Sequence, residues 1–273
     1  MHCIQYRGAP VFYQVTGAPS SLPPLVLLHG FLEDSRMWSG MVGHFEKLGR
    51  VVRIDLPGHG QSGNFSDVHS MEDMADAVHE VINVLGLRVP VLLGHSMGGY
   101  VALAYAELYE NIGGLGLFFS TPQADSPARR ILRDKTEVLV LQNKNAFIRA
   151  AIPQLLREEL RPGLRELIAQ QIGYSLEMSV EGIVAAIRGM KSRSDKTRLL
   201  FDPPKSLQPQ KIGVFAGESD TVIPITSVQE WIDAPEVGYT FISSKGHMGH
   251  LSDTVNCGAA VAHWWSTFFE VNE

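Results

Sequence analysis

The sequence predicts an α/β protein: a mostly parallel, doubly wound sheet covered by helices and interrupted by a helical insertion. Three observations predict it. Short apolar runs recur along the chain and are near-continuous rather than alternating, as in strands buried on both faces. Helical patterns lie between many of these runs, the alternation that builds a parallel sheet. Residues 121–205 break the rhythm with helical patterns and no convincing strand.

In chain order, strands are expected at 11–15, 25–28, 51–54, 91–93, 115–119, 212–216 and 239–242. A helix over 71–85 places Met74, Val78, Val81, Ile82 and Leu85 on one face and acidic residues on the other. Residues 100–109 are rich in alanine and leucine. Residues 253–270 carry Val255, Ala259, Ala262, Trp265 and Phe269 at helical spacing. Between 121 and 205, helices fit at 128–141, 164–175 and 180–191. Pro122, Pro127, Pro153 and Pro162 punctuate this region, and Asp202-Pro203-Pro204 closes it. The expected organisation is a core of residues 1–120 and 206–273, with 121–205 as a helical cap over the strand ends.

A chain of 273 residues, 45% hydrophobic and 19% charged, is long enough for one large α/β domain or a core with an inserted subdomain. Cys3 and Cys257 make neither a disulfide framework nor a metal cluster, which points to a reducing cytoplasm. The N-terminal residues lack the basic start and apolar run of a signal peptide, and no run approaches the ~18 apolar residues of a membrane span. A net charge of −6 argues against nucleic acid as the main partner. Charge is unevenly spread: 121–205 holds 15 Lys/Arg and 10 Asp/Glu, net +5, which leaves −11 for the rest.

The motif that carries chemistry is Gly94-His95-Ser96-Met97-Gly98, followed by Gly99. It lies between an expected strand and an expected helix, the context in which G-x-S-x-G presents a nucleophile. Gly94 and Gly98 remove Cβ atoms that would collide with neighbouring backbone in so sharp a turn. The helix that follows directs its N-terminal N–H groups and positive dipole end to the same place. On its own the pentapeptide also suits a small-residue turn that packs a helix tightly on a strand.

With its other landmarks the sequence resembles the α/β-hydrolase family. These are Leu28-His29-Gly30-Phe31, Asp55-Leu56-Pro57-Gly58-His59-Gly60-Gln61-Ser62, Gly94-His95-Ser96-Met97-Gly98-Gly99, Gly217-Glu218-Ser219-Asp220 and Gly246-His247. Their order and spacing match across nearly the whole chain except the cap. The resemblance implies a mostly parallel eight-stranded sheet flanked by helices, with an inserted helical cap. It also implies a serine nucleophile, an acid and a base, in that chain order.

Ser96 is then the nucleophile. Asp220, after the strand expected at 212–216, stands at the family's acid position. Glu218 competes but should still be turning out of the strand, and Asp125 is an outside candidate. Asp220 would otherwise serve an Asx turn or cap a helix before Pro224. His247 stands at the family's base position, with His250 in reserve as a brace of the loop or a helix cap. The family implies two backbone N–H groups for the oxyanion, from Met97 and Phe31. His29, His59 and His95 read as structural. Asp55 ends the wrong strand to be a nucleophile.

No H-E-x-x-H or cysteine pair suggests a metal. Gly58-His59-Gly60-Gln61-Ser62-Gly63 has the spelling of a dinucleotide turn, but no helix opens there. The expected chemistry therefore uses no cofactor. It is acyl transfer on a small carboxylic ester, with a lactone, a carbon–carbon bond or a peracid as alternatives within the fold. A non-catalytic binding protein of the same fold is the alternative from another class. The partner is a small molecule, the chain a monomer or homodimer. Arg129, Arg130, Arg133, Arg188, Lys191 and Arg193 in the cap suggest either steering of an anionic substrate or, preferably, solvated helix faces with attraction between a basic cap and an acidic body.

Overall fold

A computed structural model describes residues 1–269. Eight strands form one sheet in the order β1-β2-β4-β3-β5-β6-β7-β8. They are β1 (His2–Tyr6), β2 (Ala9–Thr16), β3 (Leu25–Leu28), β4 (Val51–Ile54), β5 (Val91–His95), β6 (Gly114–Phe118), β7 (Ile212–Gly217) and β8 (Tyr239–Ser243). β2 pairs antiparallel with β1 and β4, and every other pairing is parallel. β3 to β7 are buried along their whole length, which explains their near-continuous apolar runs, interrupted in β4 by the buried Arg53.

Seven of the eight strands fall where the apolar runs predict. β1 escapes because His2, Cys3 and Gln5 make no apolar run. It is an edge strand, exposed over most of its length.

The sheet is covered on both faces. The helices Met71–Val84 and Met97–Leu108 bury Met74, Val78, Val81, Val101 and Leu103 against Val26, Val52 and Leu92 on one face. On the other, the helix Thr254–Phe269 brings Trp264 and Trp265 onto Leu25, Leu27, Phe118 and Phe215. Glu270, the last residue of the predicted helix, lies outside the described residues.

The chain between β6 and β7 is helical, as its sequence predicts. Its main helices are Pro127–Gln154, Arg165–Leu176 and Val180–Ser192. The first is twice as long as the pattern indicates and bends at Asn143, whose φ of −159° and ψ of 86° are not helical. That break in the periodicity is why only its first half is legible. Ile148, Ile152, Leu156, Ile183 and Ile187 from this segment bury Leu32 and Met248, which lie in the loops after β3 and β8.

Candidate active site

Ser96 sits between β5 and the helix Met97–Leu108 with φ 48° and ψ −111°. A non-glycine residue there carries about 1–3 kcal/mol of backbone strain. The surroundings hold it in place. Its N–H donates to the Phe118 carbonyl over 3.1 Å, and its carbonyl accepts from the Ser120 hydroxyl at 2.7 Å. The glycines around it are required by contact. A Cβ on Gly94 would fall on the Gly98 carbonyl, and one on Gly98 would meet the carbonyls of Leu28 and His29. The start of the helix therefore lies directly against the loop that follows β3.

The loops after β7 and β8 deliver the partners. His247 Nε2 stands 3.1 Å from Ser96 Oγ, and His247 Nδ1 stands 2.8 Å from Asp220 Oδ2. His247 and Asp220 are buried. The other carboxylate oxygen, Asp220 Oδ1, accepts from the N–H groups of Val222 and Ile223, both at 2.8 Å. Asp220 thus makes the Asx-type turn and faces the imidazole at once. Glu218 points to solvent. Asp125 is engaged by Arg133 at 3.0 Å and Arg193 at 2.7 Å.

Met97 is the first residue of its helix, so its N–H has no partner within the helix. Phe31 follows Gly30 in the loop against that helix start, with its ring edge-on to His59. Leu32 has a φ of 62°. Its carbonyl accepts from Ser175 Oγ at 2.7 Å and Gln171 Nε2 at 2.8 Å, both from the helix Arg165–Leu176. These two braces are absent from the sequence reading, since no motif marks them.

His29 and His59 lie buried among the loops. His29 donates from Nδ1 to the Gly30 carbonyl and accepts the Leu56 N–H at Nε2, each over 2.8 Å. His59 is fully buried, and burial pushes its pKa down to about 3. Asp55 accepts from the backbone N–H groups of Ser35 and Gln61 and shapes the turn after β4.

Among the described residues, one group of potential metal ligands is close-set: Glu33, His95 and His250, with ligand atoms within 4.8 Å of one another. Glu33 Oε2 is 2.6 Å from His95 Nδ1. Two ligands on one ion at bonds of about 2.1 Å sit about 3.4 Å apart in tetrahedral geometry. The 2.6 Å separation is that of a hydrogen bond, and the arrangement does not fit an ion.

The α/β hydrolase fold family model matches residues 23–254. The chain belongs to that family. A thermophilic esterase from Thermogutta terrifontis superposes with a TM-score of 0.85 at 29% identity, over 96% of this chain and 94% of that one. An enol-lactonase from Burkholderia xenovorans LB400 superposes at 0.84 over 97% and 100%, and its 19% identity establishes likeness of fold alone. In sequence, the chain is 37% identical over 105 residues to a bifunctional esterase/perhydrolase of Acinetobacter calcoaceticus, covering 38% of each chain. It is 27% identical over 229 residues to the dihydrolipoyllysine-residue acetyltransferase component of the acetoin cleaving system of Pseudomonas putida, covering 82% of this chain and 58% of that one. The matches thus span less than two thirds of these relatives. No helix among the described residues is long and apolar enough to cross a membrane.

Proposed function

We propose that the protein is a serine hydrolase that cleaves small carboxylic esters through an acyl-enzyme. The observation that carries this reading is the hydrogen-bonded line from Ser96 Oγ through His247 to Asp220. A serine hydroxyl is a poor nucleophile at neutral pH until a base takes its proton. His247 Nε2 is within reach of that proton. The Nδ1–H bond to Asp220 fixes the tautomer that leaves Nε2 free to accept.

As Ser96 Oγ attacks the carbonyl carbon, His247 takes the hydroxyl proton. The oxygen charge that develops is held by the N–H groups of Phe31 and Met97. His247 returns the proton to the leaving alkoxide, and the ester bond breaks. Water then repeats the cycle on the acyl-enzyme and releases the acid. No cofactor takes part in this cycle.

Residues 121–205 act as the cap in this reading and set substrate choice. Their buried aliphatic side chains surround Leu32 and Met248, beside the proposed oxyanion loop and base. That favours a small, uncharged acyl group. The Thermogutta esterase and the esterase/perhydrolase match support ester chemistry. A lactone would enter the same cycle as a cyclic ester.

A fluorophosphonate probe tests the reading. Labelling of Ser96 in the wild type and its loss in Ser96→Ala are expected, with fastest turnover on short p-nitrophenyl esters. A folded wild type that neither labels nor hydrolyses any ester or lactone would overturn it.

A further inference from the structure

Beneath the Ser96–His247 contact lies a second buried pair. Glu33, in the loop after β3, is 1% exposed, and His95, the residue before Ser96, is likewise 1% exposed. The two side chains meet at 2.6 Å between Glu33 Oε2 and His95 Nδ1. On its far side, His95 Nε2 is 3.1 Å from the carbonyl oxygen of His247. Glu33 Oε2 also accepts the Gly30 N–H at 2.8 Å. A Cβ on Gly30 would lie 2.6 Å from both the Glu33 oxygen and the His95 nitrogen, so the pair requires glycine at that position.

The proton inventory follows from these contacts. A carbonyl oxygen only accepts, so His95 Nε2 must carry a hydrogen for its bond to His247. A neutral imidazole has one N–H, and its other nitrogen would then face Glu33 as an acceptor. Glu33 is held as an acceptor by the Gly30 N–H. Both nitrogens of His95 therefore face acceptors, an arrangement that suits an imidazolium beside a carboxylate.

We propose that Glu33 and His95 form a buried imidazolium–carboxylate pair that positions the reacting groups. The pair joins three loops. Glu33 holds the backbone of Gly30, next to the oxyanion donor Phe31. His95 adjoins Ser96 in the chain. Its ring holds the backbone of His247, whose own ring faces Ser96 Oγ. One pair thus sets nucleophile, base and oxyanion loop against one another. Neither residue touches Ser96 Oγ or the oxyanion, so both are positioning residues.

The other groups around His95 are compatible with this charge. The rings of His247 and His250 stand 5.0 and 5.1 Å from it, and Phe118 and Phe119 cover it edge-on. His250 Nε2 lies 3.2 Å from Glu33 Oε1. Burial outweighs Glu33 and pulls the His250 pKa down. Burial also opposes charge on Glu33 and on His95. For Glu33 it is outweighed by His95 and then His250, and the carboxyl titrates well below its usual range. For His95 it is outweighed by Glu33, with a lesser push from Asp220, and its pKa is raised.

The inference rests on the hydrolase reading for its kinetic consequence but not for its charge state, so two measurements separate them. The first is nitrogen NMR of histidine-labelled full-length protein. Both ring nitrogens of His95 are expected to be protonated at pH 7 and to lose a proton only above the ordinary histidine range. Glu33→Gln, which still accepts the Gly30 N–H, should lose one of those protons. An unprotonated His95 nitrogen in the wild type overturns the pair, whether or not the enzyme is active.

The second is turnover of p-nitrophenyl acetate. Small displacements of reacting groups act on kcat, so Glu33→Gln is expected to lower kcat about 10-fold and Glu33→Ala about 100-fold, with KM nearly unchanged. Unchanged kcat in a folded Glu33→Gln overturns the positioning role, and this holds even if Glu33→Ala fails to fold. A wild type that turns over nothing overturns the hydrolase reading instead, and the NMR result still decides the pair.

Discussion

The Ser175 hydroxyl, on the helix Arg165–Leu176, lies 2.7 Å from the carbonyl oxygen of Leu32. Through it the helical segment grips the loop that carries Phe31, at the residue whose φ is 62°. Gln171 grips the same oxygen at 2.8 Å. Removing both donors leaves a buried carbonyl unpaired, at a cost of about 1–3 kcal/mol. It also frees the backbone that presents the Phe31 N–H. Ser175→Ala combined with Gln171→Leu is therefore expected to lower kcat on small esters by at least about 10-fold, toward the loss seen when an oxyanion donor is removed. Steady-state kinetics beside a thermal melt checks this. A lower melting temperature with unchanged kcat would confine the two residues to stability.

The turn at Ser96 makes a sharper prediction. Gly98 lies where a Cβ would run into the carbonyls of Leu28 and His29, which are main chain and cannot swing aside. Gly98→Ala should push the helix Met97–Leu108 away from β3 and separate the N–H groups of Met97 and Phe31. Fluorophosphonate labelling is expected to slow by about 100-fold or more. Gly173→Ala is the control, since a Cβ there meets nothing within 4 Å. Equal labelling rates in the two variants would contradict the close-contact argument.

The two candidate bases separate in the same assay. His247 faces Ser96, whereas His250 faces Glu33. His247→Ala should cost about 10⁴-fold or more in kcat. His250→Ala should mainly lower stability, by leaving a buried carboxylate oxygen without its neighbour. Near-normal turnover by His247→Ala would overturn the assignment of the base.

Buried histidines give the fold a pH limit. Burial pushes His59 down to about 3, and it pushes His69 down to about 4. An unfolded histidine titrates near 6.5. Between that value and the folded pKa, the unfolded chain binds the extra proton, so stability falls as pH falls. Nothing is lost above about pH 6.5. Below it each histidine contributes a slope of at most about 1.4 kcal/mol per pH unit, ending near pH 3 for His59 and near pH 4 for His69. Urea unfolding between pH 7 and pH 4 should show this decline, and His59→Gln should make it shallower. Identical slopes in wild type and variant would contradict the assignment.

The parts that were legible in the sequence are those with local signatures. The central strands announce themselves because burial on both faces demands continuous apolar runs. Ser96, Asp220 and His247 announce themselves because glycine-bounded turns carry them. β1 lacks such a signature, as an edge strand with Cys3 and Gln5 has no apolar face to display. The brace from Ser175 to Leu32 is invisible for another reason. It joins residues 143 positions apart through one hydroxyl and one backbone carbonyl, neither of which leaves a pattern. The same holds for Glu33. It lies in no motif, and its meaning appears only when three loops converge on His95.

Five of the six basic side chains singled out in residues 121–205 face a carboxylate of the same segment, which leaves its net +5 unchanged but pairs them locally. Asp125, just after β6, is fully buried and receives Arg133 at 3.0 Å from the first helix and Arg193 at 2.7 Å from the far end of the segment. Arg129 stands 3.6 Å from it and donates to the Val222 carbonyl over 2.8 Å. Arg188 pairs with Glu137 at 2.6 Å, and Lys191 pairs with Asp134. Charges paired in this way exert little long-range pull. The ratio of kcat/KM for an anionic ester to that for a neutral ester should therefore change less than about 2-fold between low and physiological salt. A steep fall for the anionic ester alone would restore the steering reading. Asp125 itself should matter for stability. Burial opposes its charge, but Arg133 and then Arg193 outweigh it and hold the carboxyl below its usual pKa. Its contribution is thus present above about pH 4 and lost as pH falls through the lowered value. Asp125→Asn leaves three arginines, Arg129, Arg133 and Arg193, facing a neutral group, and breaking a buried pair costs about 3–5 kcal/mol. The variant should unfold at markedly lower urea at pH 7 while Ser96 still labels in the folded fraction. Unchanged stability there would mean that Asp125 does not tie the two ends of the helical segment together.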